Sequence, residues 1–227
     1  MPKIIKRRAE KKSRKEEDIR DTVVDIRERL KQRQRTLIYI AIVFVAVTLS
    51  VSGLFIYKKA SANKALELEL EGYRLFYGDY QAQAALPADR YKKALEKFKE
   101  SYKAKKRPNM LLYIANCHYE SGDYDETIKT LRELTSRFSD SKVTSIAYYK
   151  MAMAYVKKGD MDNALAALKQ IISVKDSALQ DMALLEAGKI LELSGKAEDA
   201  KNKYKELINK FPKSALINEA KARMGEK

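Results

Sequence analysis

LLYIANCHYESGDYDETIKTLREL, residues Leu111 to Leu134, is the stretch that decides the fold. A first apolar stretch runs into a Gly-Asp turn, and a second amphipathic helix begins immediately after it. Two later segments superpose on it: YYKMAMAYVKKGDMDNALAALKQI from Tyr148 and LLEAGKILELSGKAEDAKNKYKEL from Leu184. The turn glycines Gly122, Gly159 and Gly195 fall 37 and 36 residues apart, a period that marks a repeat architecture. A weaker unit, RYKKALEKFKESY from Arg90, places Ala94 and Phe98 where the others carry Thr127/Leu131, Ala164/Leu168 and Ala200/Tyr204. Its first helix is expected within Ala60–Tyr80, with Pro87 marking the connection because proline is poorly tolerated inside a helix.

The pattern has a steric cause. Two antiparallel helices that pack closely need small side chains at their crossing. Ala115, Ala152 and Gly188 fill that role on the first helix of each unit. Ala164 and Ala200 fill it on the second, with Thr127 a poorer substitute. Large residues such as Ile114, Met151, Leu131, Leu168 and Tyr204 fill the layer between units. The glycine supplies the positive φ that ends the first helix, and the Asp after it starts the next. A lone pair cannot bury its apolar face, so three or more units must stack. The expected fold class is all-α, an α-solenoid of helical hairpins closed by a C-terminal capping helix over Ser214–Met224.

Composition agrees. The 227 residues are 34% charged, with 8 Gly and 4 Pro, which favours helix throughout. One Cys and one His exclude a disulfide scaffold and a His/Cys metal cage. No phosphate-binding glycine loop, G-x-S-x-G or H-E-x-x-H motif occurs. Cys117 and His118 point about 100° apart on a helix and have no third partner nearby, so they read as structural. The chain is expected to be no enzyme and to need no cofactor or metal.

Upstream lies LIYIAIVFVAVTLSVSGLFIY, Leu37 to Tyr57, without a single charge. At about 1.5 Å per residue it spans about 31 Å, the thickness of a hydrocarbon core. Tyr39 and Tyr57 sit near its ends, at headgroup depth. Residues 1–35 carry 14 Lys/Arg against 7 Asp/Glu, whereas only Lys58, Lys59 and Lys64 come soon after the run, followed by Glu67, Glu69 and Glu71. The positive-inside bias therefore predicts a cytoplasmic N-terminus and a translocated remainder. Ala60-Ser61-Ala62 resembles a peptidase site, but the 35-residue leader, the length of the apolar run and Lys58-Lys59 favour an uncleaved anchor. The expected organisation is a basic cytoplasmic tail (1–35), a signal-anchor helix (36–57), a juxtamembrane helix and connection (58–87) and the repeats (88–227). The expected location is the bacterial inner membrane, with the repeats periplasmic or otherwise extracytoplasmic.

In the tail, Lys6, Arg7, Arg8, Lys11, Lys12, Arg14 and Lys15 form a candidate lipid- or anion-binding cluster. Aromatic residues are not interleaved for base stacking, so nucleic acid is not the expected partner. Ile19, Val23, Ile26 and Leu30 recur on one helical face.

The small-large positions, with the GDYDETI turn at Gly122–Ile128, resemble the tetratricopeptide repeat family over about Ala88–Phe211. The usual Trp is replaced by Leu111, Tyr148 and Leu184, and only Pro212 keeps the terminal proline. The resemblance implies a concave groove lined by Leu112, Asn116, Tyr119, Tyr149, Met153, Val156, Leu185 and Lys189. Asn116 matches one position of the carboxylate clamp found in some members. Leu112 and Met153 replace its lysine and second asparagine, so the clamp is not expected. The Tyr/Met lining suits apolar segments of a partner. A single span followed by such repeats resembles the ancillary SecYEG translocon subunit family. That likeness implies contact with translocon subunits, periplasmic chaperones or exported clients. Envelope-biogenesis or cell-division scaffolds, and a tethered lipid or nucleic-acid binder acting through the tail, are the alternatives.

Overall fold

The computed structural model describes residues 20, 22–29, 31–78, 87–140, 142–174 and 177–225, and no strand occurs among them. The chain divides into two compact units, Met1–Lys59 and Ala60–Lys227.

In the first unit, residues 22–29 are helical, with Val23 and Ile26 exposed. Helix α1 (Gln34–Tyr77) then begins; its residues from Ala60 onward belong to the second unit. Across the apolar run the side chains are exposed: Phe44, Leu49 and Phe55 are each 68% exposed. Thr48 and Ser50 donate to the carbonyls of Val45 (2.9 Å) and Ala46 (2.8 Å), so their hydroxyls are satisfied within the helix. Among the described residues, α1 is the one helix long and apolar enough to cross a membrane by length and composition.

The second unit is a run of helical hairpins. The end of α1 pairs with α2 (Pro87–Ala104), and α3 (Pro108–Glu120) with α4 (Tyr124–Arg137). Next, α5 (Thr144–Lys157) pairs with α6 (Met161–Ser173), and α7 (Gln180–Leu193) with α8 (Ala197–Lys210). Helix α9 (Ile217–Met224) packs on α8. Pro87 and Pro108 open α2 and α3, where a missing N–H costs nothing.

All three expected turns have the same form. Gly122, Gly159 and Gly195 take φ of 78°, 78° and 72°. The next residue's N–H reaches back five residues, Asp123 to His118, Asp160 to Tyr155 and Lys196 to Leu191, each at 2.9 Å, satisfying a terminal carbonyl. Asp123 and Asp160 then cap the following helix by accepting from Glu126 N (3.2 Å) and Asn163 N (3.1 Å). The Asn163 bonds hold the Asp160 carboxyl below its usual pKa. Lys196 gives α8 no side-chain cap.

The core follows the small-large pairing. Ala94, Phe98, Ala115, Leu131, Ala152, Ala164, Leu168, Ala200 and Tyr204 are essentially excluded from solvent. Thr127 is fully buried and, contrary to expectation, fits well: its hydroxyl donates to Asp123 O at 2.8 Å, so nothing polar is left unpaired. The first hairpin has a member the repeat alignment lacked, Gly72, which lies against the Phe98 ring as Gly188 lies against Tyr204. Ser101 stands where later units have Leu134, Ile171 and Leu207. It donates to Ala65 O (2.7 Å), while Ser61 donates to Ala104 O (2.6 Å), stitching α1 to α2. The capping helix starts later than Ser214, because the Ser214 hydroxyl accepts from Leu216 N (3.2 Å) and donates to Asp181 (2.6 Å).

A Cβ at Gly188 would fall 2.2 Å from Tyr204. Gly188→Ala is therefore expected to destabilise the unit by about 1–3 kcal/mol through overpacking, more than the helix-propensity gain of about 1 kcal/mol offsets. Tyr204→Leu in the same chain should recover most of the loss, since Ala152 with Leu168 is a working pair; denaturant unfolding measures both. His118 is buried and its Nδ1 lies 3.4 Å from Asp123 Oδ2. Burial, then Lys99, hold its pKa below the usual value against the pull of Asp123. The unfolded chain therefore takes up this proton first, and stability should fall as pH drops below about 6.5. His118→Tyr, copying Tyr155 one repeat later, should flatten that fall in unfolding curves taken from pH 7 to pH 5.

Candidate interaction face

The first helices of successive hairpins present equivalent positions side by side. Tyr73 of α1 meets Tyr113 of α3, ring centroids 4.7 Å apart. Phe76 and Phe98 also pack on Tyr113, at 6.1 and 5.1 Å, and the Tyr77 and Tyr113 hydroxyls are 3.4 Å apart. Further along α3, Tyr119 stacks edge-on against Tyr124 (5.4 Å) and carries the Lys150 ammonium of α5 over its ring at 5.5 Å. Tyr149, Met153 and Val156 continue the face on α5, each half-buried against the core.

Of the expected groove residues, Leu112, Asn116, Tyr119, Tyr149, Met153 and Val156 are half-buried on this face. The other two differ. Leu185 is 2% exposed, in a cluster with Tyr204 and Ala220 of α9, so it belongs to the core. Lys189 is held by Glu186 (3.1 Å) and by Glu219 of α9 (2.8 Å). Burial opposes its charge, but those two carboxylates outweigh it and raise its pKa. The C-terminal helix thus takes up what the sequence assigned to a ligand there. The basic cluster Lys6, Arg7, Arg8, Lys11, Lys12, Arg14 and Lys15 lies outside the described residues.

The phenols of the face are neutral, with the Lys150 ammonium over one of them, Tyr119. Burial raises the pKa of Tyr119 and Tyr149, and the Tyr77 hydroxyl together with burial pushes Tyr113 up to about 12. These phenols stay neutral at physiological pH and offer hydrogen bonds beside apolar rings. Asn116 Oδ1 is buried and accepts no hydrogen bond among the described residues. Burial also pushes the Cys117 thiol up to about 12, so it is no thiolate nucleophile.

The aromatic group at the N-terminal end escaped the sequence reading. Tyr73, Phe76 and Tyr77 belong to EGYRLFYG, Glu71–Gly78, where Gly72 holds the small position 43 residues before Ala115. The longer interval, not a missing motif, hid it. Behind this group Glu69, 7% exposed, accepts from Tyr73 Oη (2.6 Å) and pairs with Arg107.

A family model for the tetratricopeptide repeat-like domain matches residues 31–223. No curated protein matches the sequence. Among solved structures, BtubC (BKLC) from P. vanneervenii aligns with a TM-score of 0.51 at 14% identity, over 74% of this chain and 82% of its own. YrrB, described as a TPR protein with an unusual peptide-binding site, gives 0.47 at 16%, over 75% and 86%. The TPR2AB domain of yeast Sti1, in complex with pHSP90, gives 0.41 at 20%, over 70% and 70%. At such identities the likeness extends to the fold alone. Folds of this kind are typically non-enzymatic scaffolds for protein-protein interaction. With hairpins, small-large crossings and glycine turns all in register with the matched residues, the chain belongs to the tetratricopeptide repeat-like domain family.

Proposed function

We propose that the chain is a membrane-anchored scaffold whose repeats stand outside the cytoplasm and grip other polypeptides on the Tyr/Met face. The observation that carries this reading is the half-buried lining from Tyr113 through Tyr119 to Tyr149 and Met153, which offers apolar area and phenol hydrogen bonds beside the Lys150 ammonium on Tyr119. The lack of clamp lysine and second asparagine, at Leu112 and Met153, favours internal or apolar segments over a terminal carboxylate.

In this reading residues 1–35 are a cytoplasmic tail that meets anionic lipid through Lys6, Arg7, Arg8, Lys11, Lys12, Arg14 and Lys15. Residues 36–57 are the signal anchor in a bacterial inner membrane, 58–87 lead away from it, and 88–227 carry the repeats. The charge step from the basic tail to Glu67, Glu69 and Glu71 supports that direction. The partners are translocon subunits, periplasmic chaperones or exported clients, as for ancillary SecYEG subunits. Envelope-biogenesis or division proteins are the alternative partners for the same face.

Protease added to intact spheroplasts should digest the C-terminal bulk and spare the tail; protection of that bulk would overturn the topology. Photo-crosslinkers at positions 119, 149 and 153 should capture translocon subunits or exported chains, identified by mass spectrometry. A crosslinker at position 185 should capture nothing, because Leu185 is buried.

A further inference from the structure

Between successive second helices the array leaves a seam, floored by the first helix of the later hairpin. At the α4–α6 seam the floor carries Met151 and Tyr155 of α5, and Arg132 donates to the Tyr155 hydroxyl at 2.6 Å. Cation and floor are tied together there. One repeat later, between α6 and α8, the same positions read differently. Ala187 stands for Met151, Leu191 for Tyr155, Lys169 for Arg132 and Ile172 for Thr135. Two large floor side chains have shrunk, a wall has turned apolar, and the cation has lost its hydroxyl acceptor.

The product is an open cleft of about 500 Å³ with Leu165, Ile172, Ala187 and Leu191 as its apolar lining. It also parts the core in two. The buried residues from α2 into α7 form one cluster, those of α7–α9 another, and Leu165 and Ile172 touch both. Lys169 and Lys203 stand at the mouth, with Asp199 as the one carboxylate among the residues lining it. Lys203 shares Glu206 with Lys210, at 2.9 and 2.7 Å, so two cations lean on one anion. Lys169 pairs with no carboxylate among the described residues. An apolar slot under an unmatched cation is half of a complementary pair, and a basic or purely apolar ligand would leave Lys169 unmatched.

We propose that this cleft is a second docking site, separate from the Tyr/Met face, for a polypeptide segment carrying a bulky apolar side chain flanked by carboxylates. The apolar side chain enters between α6 and α8 onto Ala187 and Leu191, and a carboxylate closes on Lys169. The inference does not rest on the membrane topology or on the proposed use of the first-helix face.

The test uses the full chain in lipid nanodiscs and a fluorescein-labelled peptide with one Phe in a run of Asp, Glu and Ala, followed by fluorescence anisotropy. Saturable binding is expected. It should weaken about tenfold when the peptide's Phe becomes Ala, the worth of one buried apolar side chain. Ala187→Met, which refills the floor as in the preceding repeat, should have the same effect. Lys169→Glu, an exposed change that leaves the packing alone, should weaken binding several-fold, and replacing the peptide's acids with Lys should abolish it. Tyr149→Ala and Met153→Ala should change nothing. Absence of saturable binding overturns the proposal, as does binding indifferent to Lys169→Glu in protein whose helical signal and melting match the parent. Loss on Tyr149→Ala alone would put the peptide on the first-helix face and equally overturn it.

Discussion

Every hairpin in this chain is set by one crossing, where a small residue on the first helix meets a large one on the second. Gly72 lies against Phe98 and Gly188 against Tyr204, and Ala115 with Leu131 and Ala152 with Leu168 hold the equivalent buried positions between them. Where the large partner is a ring, the small partner has no Cβ at all; where it is a leucine, alanine is accommodated. Protein interiors are packed to crystal-like density, so the two sizes trade against each other at fixed helix separation. Glycine inside a helix costs about 1 kcal/mol against alanine. The end hairpins accept that cost because the ring beside it buries more apolar area than a leucine would.

With the spacing fixed inside each hairpin, residues between hairpins are free to differ, and the surface acquires its character there. Across three seams the floor passes from Ile114 and His118, through Met151 and Tyr155, to Ala187 and Leu191. The backbone period is unchanged while the cleft grows from about 370 Å³ at the α4–α6 seam to about 500 Å³ at the α6–α8 seam. On the other side the same freedom gives an aromatic and methionine lining. Exposed ion pairs such as Lys129–Glu126 and Lys201–Glu198 add little to stability.

The two ends of the array are finished by different means. At the N-terminal end the long α1 serves as the missing first helix, held by Ser61 and Ser101 and by the ring cluster around Tyr113. At the C-terminal end α9 buries Ala220 and extends Glu219 to Lys189 and Arg223 to Glu192 (both 2.8 Å). A stack of hairpins needs such closure, since its last apolar face has no further unit to cover it.

The amino-acid sequence alone determined the all-α class, the turn glycines, the small-large positions and the one apolar run long enough for a bilayer. These are local or strictly periodic properties, so one period of residues carries each of them. Tertiary structure decided what depends on residues tens of positions apart in the chain. Leu185 and Lys189 look like lining on their own helix, and only the return of α9 makes one core and engages the other. Gly72 became the first small residue of the array only because Phe98 lies against it. The cleft between α6 and α8 is wider than the one before it because Ala187 and Leu191 stand where that seam has Met151 and Tyr155. A linear sequence lists side-chain sizes, but a void exists only where folding sets several of them around one point.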